Sequence, residues 1–294
     1  MSLPNFFCLG AAKSGTTTLY DILRQHPEIY IPNFKEPHFF DIPENFENGL
    51  EWYERNYYKK ADKKIITDFT PSYLFTESAP KRIFKSLGKD IKFLVIFRNP
   101  VDRAYSHYLH SKRDDYENED FEEALELEVS RLKKYKDQSD YLLYLRHSYL
   151  QQGLYSEMLD RYLQYFSLDN FLFIHFEDEF MKDRDFTIRK ILDFLKIDNS
   201  ILLNTDIRSN PSSKEKSRVL NKIIRTRGWL RKVMKFIVPS IQLRQIIRNR
   251  IQRANSKEFK FQQLSQELKS DILEKYFRED ISNLERIINK KMNW

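Results

Sequence analysis

The sequence predicts an α/β protein of three layers, a central parallel β-sheet flanked by helices. Short, near-continuous apolar runs recur at residues 6–12, 64–67, 91–97 and 171–176. They alternate with stretches in which apolar residues recur at helical spacing, and no internal repeat interrupts the alternation. Strands that are apolar on both faces are buried on both faces, so helices must lie above and below the sheet. Ligands of such sheets bind beyond the carboxyl ends of the strands.

Taken in order, residues 6–12 (FFCLGAA) read as a strand that ends in a Gly/Ser/Thr loop, and residues 16–26 follow as a helix carrying Leu19, Ile22 and Leu23. KIIT at 64–67 is a second strand, closed by Asp68 and a turn containing Pro71. IKFLVIF at 91–97 leads through Arg98 and Asn99 into a helix opened by Pro100, a residue suited to the first helical turn. Residues 111–138 are charged and mostly helical, and residues 148–166 read as one amphipathic helix with Leu150, Leu154, Met158 and Tyr162 at i+4. FLFIHF at 171–176 precedes a helix over 183–195. NPSS at 210–213 is the clearest composition break, and residues 264–289 read as a final long helix.

At 294 residues the chain is long enough for a large core, and we expect a single domain over residues 1–294. Apolar residues make up 41% and charged residues 32%, a globular composition that excludes extensive disorder. The lone cysteine, Cys8, has no intrachain disulfide partner and lies in an apolar run, which makes it a core residue. MSLPNFF lacks the pattern of a signal peptide, and no apolar stretch approaches the roughly 18 residues of a membrane span. The expectation is a soluble, cytoplasmic protein.

The net charge of +7 is uneven. Residues 208–257 hold 15 Lys and Arg against the single acid Glu215, a net of +14 that leaves −7 for the remainder. This basic, mostly helical segment mixes Val219, Ile223, Ile224, Leu230, Val233, Met234 and Ile237 with cations. A basic amphipathic helix flanks a cleft for an anionic acceptor, contacts a membrane surface, or is simply a solvated helix packed on the domain. Nucleic acid is the weakest partner class, because no aromatic stacking pattern accompanies the charge.

Residues 10–18 (GAAKSGTTT) carry the sharpest signal. A glycine-rich turn feeding a helix directs free backbone N–H groups and the positive end of the helix dipole at one point, which suits phosphate or sulfate. Gly10 and Gly15 have the GxxxxG separation of a Walker loop, which makes the expected fold P-loop-like. In a Walker loop, however, a lysine follows the second glycine. Here Thr16, Thr17 and Thr18 follow it, and Lys13 stands inside the turn beside Ser14. The bland alternative is a tight turn with Thr16 as helix cap. Arg98 and Ser106, eight residues apart at the end of the third run, offer a guanidinium fork and a hydroxyl for a second phosphate. Arg98 paired with Asp102 or Asp68 is the competing reading.

The segments FFCLGAAKSGTTTLYDILRQHPEI, KEPHFFD, TDFTPSY and KFLVIFRNPVDRAYSHY, in this order, resemble the sulfotransferase family. They are most similar to its glycan-modifying branch, which includes heparan sulfate and bacterial nodulation-type enzymes. The likeness continues through GLYSEMLDRYLQYF, FLFIHFED and the terminal YFREDISNLERII…W. It implies the co-substrate 3′-phosphoadenosine 5′-phosphosulfate (PAPS) and no metal. The 5′ end would lie on Lys13, Ser14, Gly15, Thr16, Thr17 and Thr18, and the 3′-phosphate on Arg98 and Ser106. The glutamate of KEPHFFD, here Glu36, would be the general base, with His38 nearby to orient or replace it. The acceptor would be a glycan or glycolipid. Two positions depart from the branch: Phe69 stands where many heparan enzymes have a lysine, and the late phosphate loop appears only as NPSSKEKSR, which makes Lys214 a donor ligand by position alone.

Read as chemistry, Lys13 suits the oxygen that links phosphate to sulfate, where charge grows as the bond breaks. Glu36 sits in the apolar, proline-interrupted EPHFF, a setting expected to raise its pKa, or else it forms a surface salt bridge with Lys35. His107 and His110 lie i, i+3 on a helix with no acid or cysteine pattern to complete a metal set, and read as packing. Asp68 mimics a Walker magnesium ligand and supports the alternative, a kinase using ATP and magnesium.

Overall fold

In β4 (Lys92–Phe97) the side chains alternate between two apolar clusters: Phe93, Val95 and Phe97 belong to one, Leu94 and Ile96 to the other. This period of two is what a strand covered on both faces requires. The computed structural model describes residues 1–207 and 263–294, Ile251, and the backbone of 213–215 and 256–258. It contains a five-stranded, all-parallel sheet in the order β2 (Ile29–Tyr30), β3 (Ile65–Asp68), β1 (Phe6–Gly10), β4 and β5 (Phe171–His175). The expected three-layer fold is therefore present. A separate antiparallel pair joins β6 (Ser213–Glu215) to β7 (Ser256–Glu258).

One face of the sheet is covered by α1 (Thr16–Leu23) and α11 (Arg184–Leu195), through Leu19, Ile22, Leu23, Ile188, Ile191 and Leu195. Cys8 is buried in this cluster, as expected. The opposite face carries the larger, aromatic core. It includes the short helices α2 (Pro43–Phe46) and α3 (Gly49–Tyr53), then α4 (Ser72–Phe75), α5 (Ala79–Leu87) and α10 (Tyr155–Leu163). A third cluster packs α6 (Pro100–Arg113) against α7 (Phe121–Glu126). Nearby, α8 (Glu128–Asp137) packs on α9 (Tyr141–His147).

Two helices expected from periodicity are shorter than the pattern suggests. Over 148–166 only α10 is α-helical, and a 3-10 turn at Gln151–Gly153 precedes it. The buried carboxylate of Glu128 accepts the backbone N–H groups of Tyr149, Leu150 and Gln151, which ties that stretch into a turn. The final helix is two, α12 (Gln266–Tyr276) and α13 (Arg278–Ile288). They break at Phe277, whose fully buried ring lies against Gly153, where a Cβ would stand 2.7 Å from it.

Strand β1 leads to partners on one side and β4 to β5 on the other, so the connections diverge between two adjacent strands. That crevice is where an open parallel sheet binds ligands. No helix among the described residues is long and apolar enough to cross a membrane. The basic segment at 208–257, expected to be mostly helical, lies outside the described residues, apart from Ile251 and the backbone of residues 213–215 and 256–258.

Candidate active site

The turn after β1 is built by backbone that L-residues adopt at a cost. Gly10 has φ 137°, Lys13 φ 73° and Gly15 φ 77°. Gly15 has no room for a side chain, because a Cβ would lie 2.8 Å from the Phe180 ring and 3.0 Å from that of Phe176. Gly15, not Thr16, occupies the cap position of α1, and Thr16, Thr17 and Thr18 form the first helical turn. That turn has no side-chain cap and no acid, so the positive end of its dipole is left uncompensated, as suits an anion. Ser14 is fully buried and its Oγ has no hydrogen-bond partner among the described residues.

Arg98, at the end of β4, reaches the same turn: its Nη1 donates to the Lys13 carbonyl at 2.6 Å, and its guanidinium lies 5.1 Å from the Phe176 ring centroid. Its buried Nε has no hydrogen-bond partner among the described residues. The competing pairings are absent, for Asp102 binds Lys269 at 2.6 Å and Asp68 is engaged elsewhere. Asn99 caps α6 by accepting from the N–H groups of Val101 and Asp102, and half-buried Ser106 lies two turns along that helix. Burial lowers the Lys13 pKa to about 7, helped by the charges of Arg113, Arg146 and Arg98. An anion is the group that relieves such crowding.

Glu36 and His38 occupy a second corner, again with positive φ, 66° and 53°. The Glu36 N–H donates to the Phe69 carbonyl at 3.2 Å, and Pro71, two residues on, abuts Gly10 of the first turn. One Glu36 oxygen meets Lys35 Nζ at 2.5 Å and the other lies 3.8 Å from His38 Nε2. His38 Nδ1 is 2.8 Å from Asp41 Oδ2, which also accepts from Ser72 Oγ at 2.5 Å and Tyr141 OH at 3.3 Å.

The expectation that its setting raises the Glu36 pKa is corrected by this geometry. Burial does push the carboxyl upward, but the charges of Lys35 and His38 outweigh it and hold the value below the ordinary one. For His38, burial opposes protonation, yet the charge and hydrogen bond of Asp41, with Glu36 beside it, raise the pKa to about 9. At neutral pH the trio is therefore carboxylate, imidazolium, carboxylate.

Phe69 buries its ring edge-on against Tyr20, 5.7 Å between centroids, and contributes only its carbonyl to Glu36. Asp68 is fully buried, with its oxygens taken by the hydroxyls of Thr70, Tyr73 and Tyr53. Buried and engaged in this way it is not presented as a magnesium ligand, and burial raises its pKa to about 6. Burial and neighbouring cations keep His107 and His110 neutral, and no group of three metal-ligating side chains occurs among the described residues. The Lys214 side chain lies outside the described residues. Sequence reasoning missed Asp41, although its i+3 spacing from His38 was a readable signal. It also missed Tyr141, for which no local signal exists.

Fold and site together define a P-loop-like α/β protein in which the turn after β1 lies against Arg98 on one side and, through Pro71 beside Gly10, next to the segment that holds Glu36 on the other. The chain belongs to the sulfotransferase family: the sulfotransferase domain model matches residues 3–232. Heparan sulfate glucosamine 3-O-sulfotransferase 3A1 of Mus musculus is 34% identical over 195 residues, covering 66% of this chain and 46% of that protein. Heparan sulfate glucosamine 3-O-sulfotransferase 6 of Homo sapiens is 32% identical over 201 residues, covering 65% and 52%. The chain thus spans about half the length of these curated relatives. The crystal structure of a sulfotransferase from Alicyclobacillus acidocaldarius superposes with a TM-score of 0.70 at 25% identity, covering 99% of this chain and 98% of that one.

Proposed function

We propose that the protein transfers a sulfuryl group from PAPS to a hydroxyl of a carbohydrate acceptor. The observation that carries this reading is the hydrogen bond from Arg98 Nη1 to the Lys13 carbonyl, which joins two anion-binding groups 85 residues apart at one corner. A donor phosphorylated at both ends of its ribose fits that corner, where Ser14 Oγ and Arg98 Nε are buried without hydrogen-bond partners among the described residues. The carbohydrate acceptor rests on the relatives, whose names place them on heparan sulfate glucosamine.

The donor supplies an activated sulfur–oxygen bond. Lys13 offers an ammonium to the oxygen that keeps the electron pair when that bond breaks. Glu36 takes the proton of the acceptor hydroxyl as its oxygen bonds to sulfur. His38, protonated at neutral pH, has no free lone pair for that proton; it holds Glu36 through charge and is itself held by Asp41. This arrangement supports Glu36 over His38 as base.

Calorimetry is expected to show adenosine 3′,5′-bisphosphate binding far more tightly than ADP or ATP with magnesium; equal affinity would favour a kinase. Labelled PAPS offered to oligosaccharides, lipids and phenols identifies the acceptor class. Glu36→Gln is expected to lower turnover by about 10² to 10⁴ with donor-product binding retained, whereas Lys13→Ala loses both. Full turnover in Glu36→Gln would remove it as the base.

A further inference from the structure

The peptide unit between Arg98 and Asn99 is held at both of its polar ends. Its carbonyl accepts from Tyr155 OH at 2.8 Å, and its N–H donates to Glu177 Oε1 at 3.0 Å. Both holding side chains touch Trp294. The indole Nε1 donates to Glu177 Oε2 at 3.3 Å, and the ring lies 6.0 Å from Tyr155 and 5.3 Å from His175 between centroids. The turn that carries Glu177 runs over Phe176–Phe180, and its two phenylalanines pack under Gly15 and Arg98.

The segment after α13 meets three successive acids of that turn, each with a different residue. Trp294 binds Glu177, Asn293 Nδ2 donates to Asp178 at 2.9 Å, and Lys290 Nζ meets Glu179 at 2.6 Å. The segment is anchored in turn, for buried Met292 donates its N–H to Glu285 of α13 at 2.7 Å.

We propose that residues 290–294 form a strap that positions the donor corner, with Trp294 a positioning residue for Arg98. The proposal rests on the reading of Arg98 as the ligand of a 3′-phosphate. A tilt of the Arg98–Asn99 peptide moves both the guanidinium and the cap of α6, while the turn at residues 10–18 keeps its own backbone. Trp294 reaches that peptide through Tyr155 and Glu177 rather than through the Phe176 and Phe180 rings under Gly15, so its loss acts on the 3′ end of the nucleotide and spares the 5′ end.

The test is calorimetry on the full chain with two probes, adenosine 3′,5′-bisphosphate and AMP, which lacks the 3′-phosphate. Trp294→Ala is expected to weaken the bisphosphate by about tenfold, the worth of one hydrogen bond to a charged group, and to leave AMP unchanged. Trp294→Phe keeps the ring without the donor and is expected to fall between. Trp294→Ala combined with Arg98→Ala is expected to bind no more weakly than Arg98→Ala alone. Equal losses for both nucleotides would mean a general structural role and overturn the strap, as would an unchanged bisphosphate affinity. If Arg98→Ala itself binds the bisphosphate like the parent, the donor reading fails and the strap with it. A strap that fails alone leaves the Arg98→Ala loss intact.

Discussion

Lys13, Glu36 and His38 share an unusual backbone state, each with φ between 53° and 73°. Holding a non-glycine residue in a sparsely populated backbone region costs about 1–3 kcal/mol, and such positions cluster where geometry serves a task. At Lys13 the electrostatics point the same way. In the free protein burial and neighbouring arginines bring its pKa to about 7 from an ordinary 10.5. A phosphate beside it favours the ammonium and moves the value back up. Between those limits, bisphosphate binding must take up a proton. Calorimetry at pH 8 in buffers of different ionisation enthalpy is expected to show that uptake, and Lys13→Ala to abolish it. Release of protons, or none exchanged, would contradict the assignment.

Among the elements, the turn Phe176–Phe180 is the platform beneath both Gly15 and Arg98, and Gly15 is the point at which it tolerates no substitution. Gly15→Ala combines a left-handed backbone at φ 77° with a Cβ 2.8 Å from Phe180. Urea denaturation is expected to show a loss of about 1–3 kcal/mol, accompanied by weaker bisphosphate binding; a variant of parental stability and affinity would refute the tight packing. Such contacts were not legible in the sequence. The glycine itself was, and so were β1, β3, β4 and β5, because strands buried on both faces leave continuous apolar runs. β2 is two residues long and left none. The stretch before α10 misled because Leu150 and Leu154 kept helical spacing while Glu128, more than twenty residues upstream, took the backbone donors. KEPHFFD held Glu36, His38 and Asp41 within six positions, so most of the second corner was readable. The direction of the Glu36 pKa was not, since it depends on how Lys35 and His38 fold around the carboxylate.

For the whole molecule, the proposed donor, lying across the crevice between β1 and β4, would tie together segments far apart in the chain. The turn at residues 10–18 leads into α1, which packs on one face of the sheet, and Arg98 leads into α6 and its separate cluster. A ligand that bridges them binds the folded state alone and stabilises it by mass action, about 2.7 kcal/mol at 100 times Kd. For a chain of this size that corresponds to a rise in Tm of roughly 4–8 °C. At equal millimolar concentrations the bisphosphate is expected to produce such a rise and AMP a much smaller one. The difference reports the 3′-phosphate held at Arg98, so it should vanish in Arg98→Ala while the AMP effect stays. Identical shifts from both nucleotides in the parent would mean that only the turn after β1 is engaged. The second phosphate site would then be lost from the reading, and with it the ground for preferring a doubly phosphorylated donor.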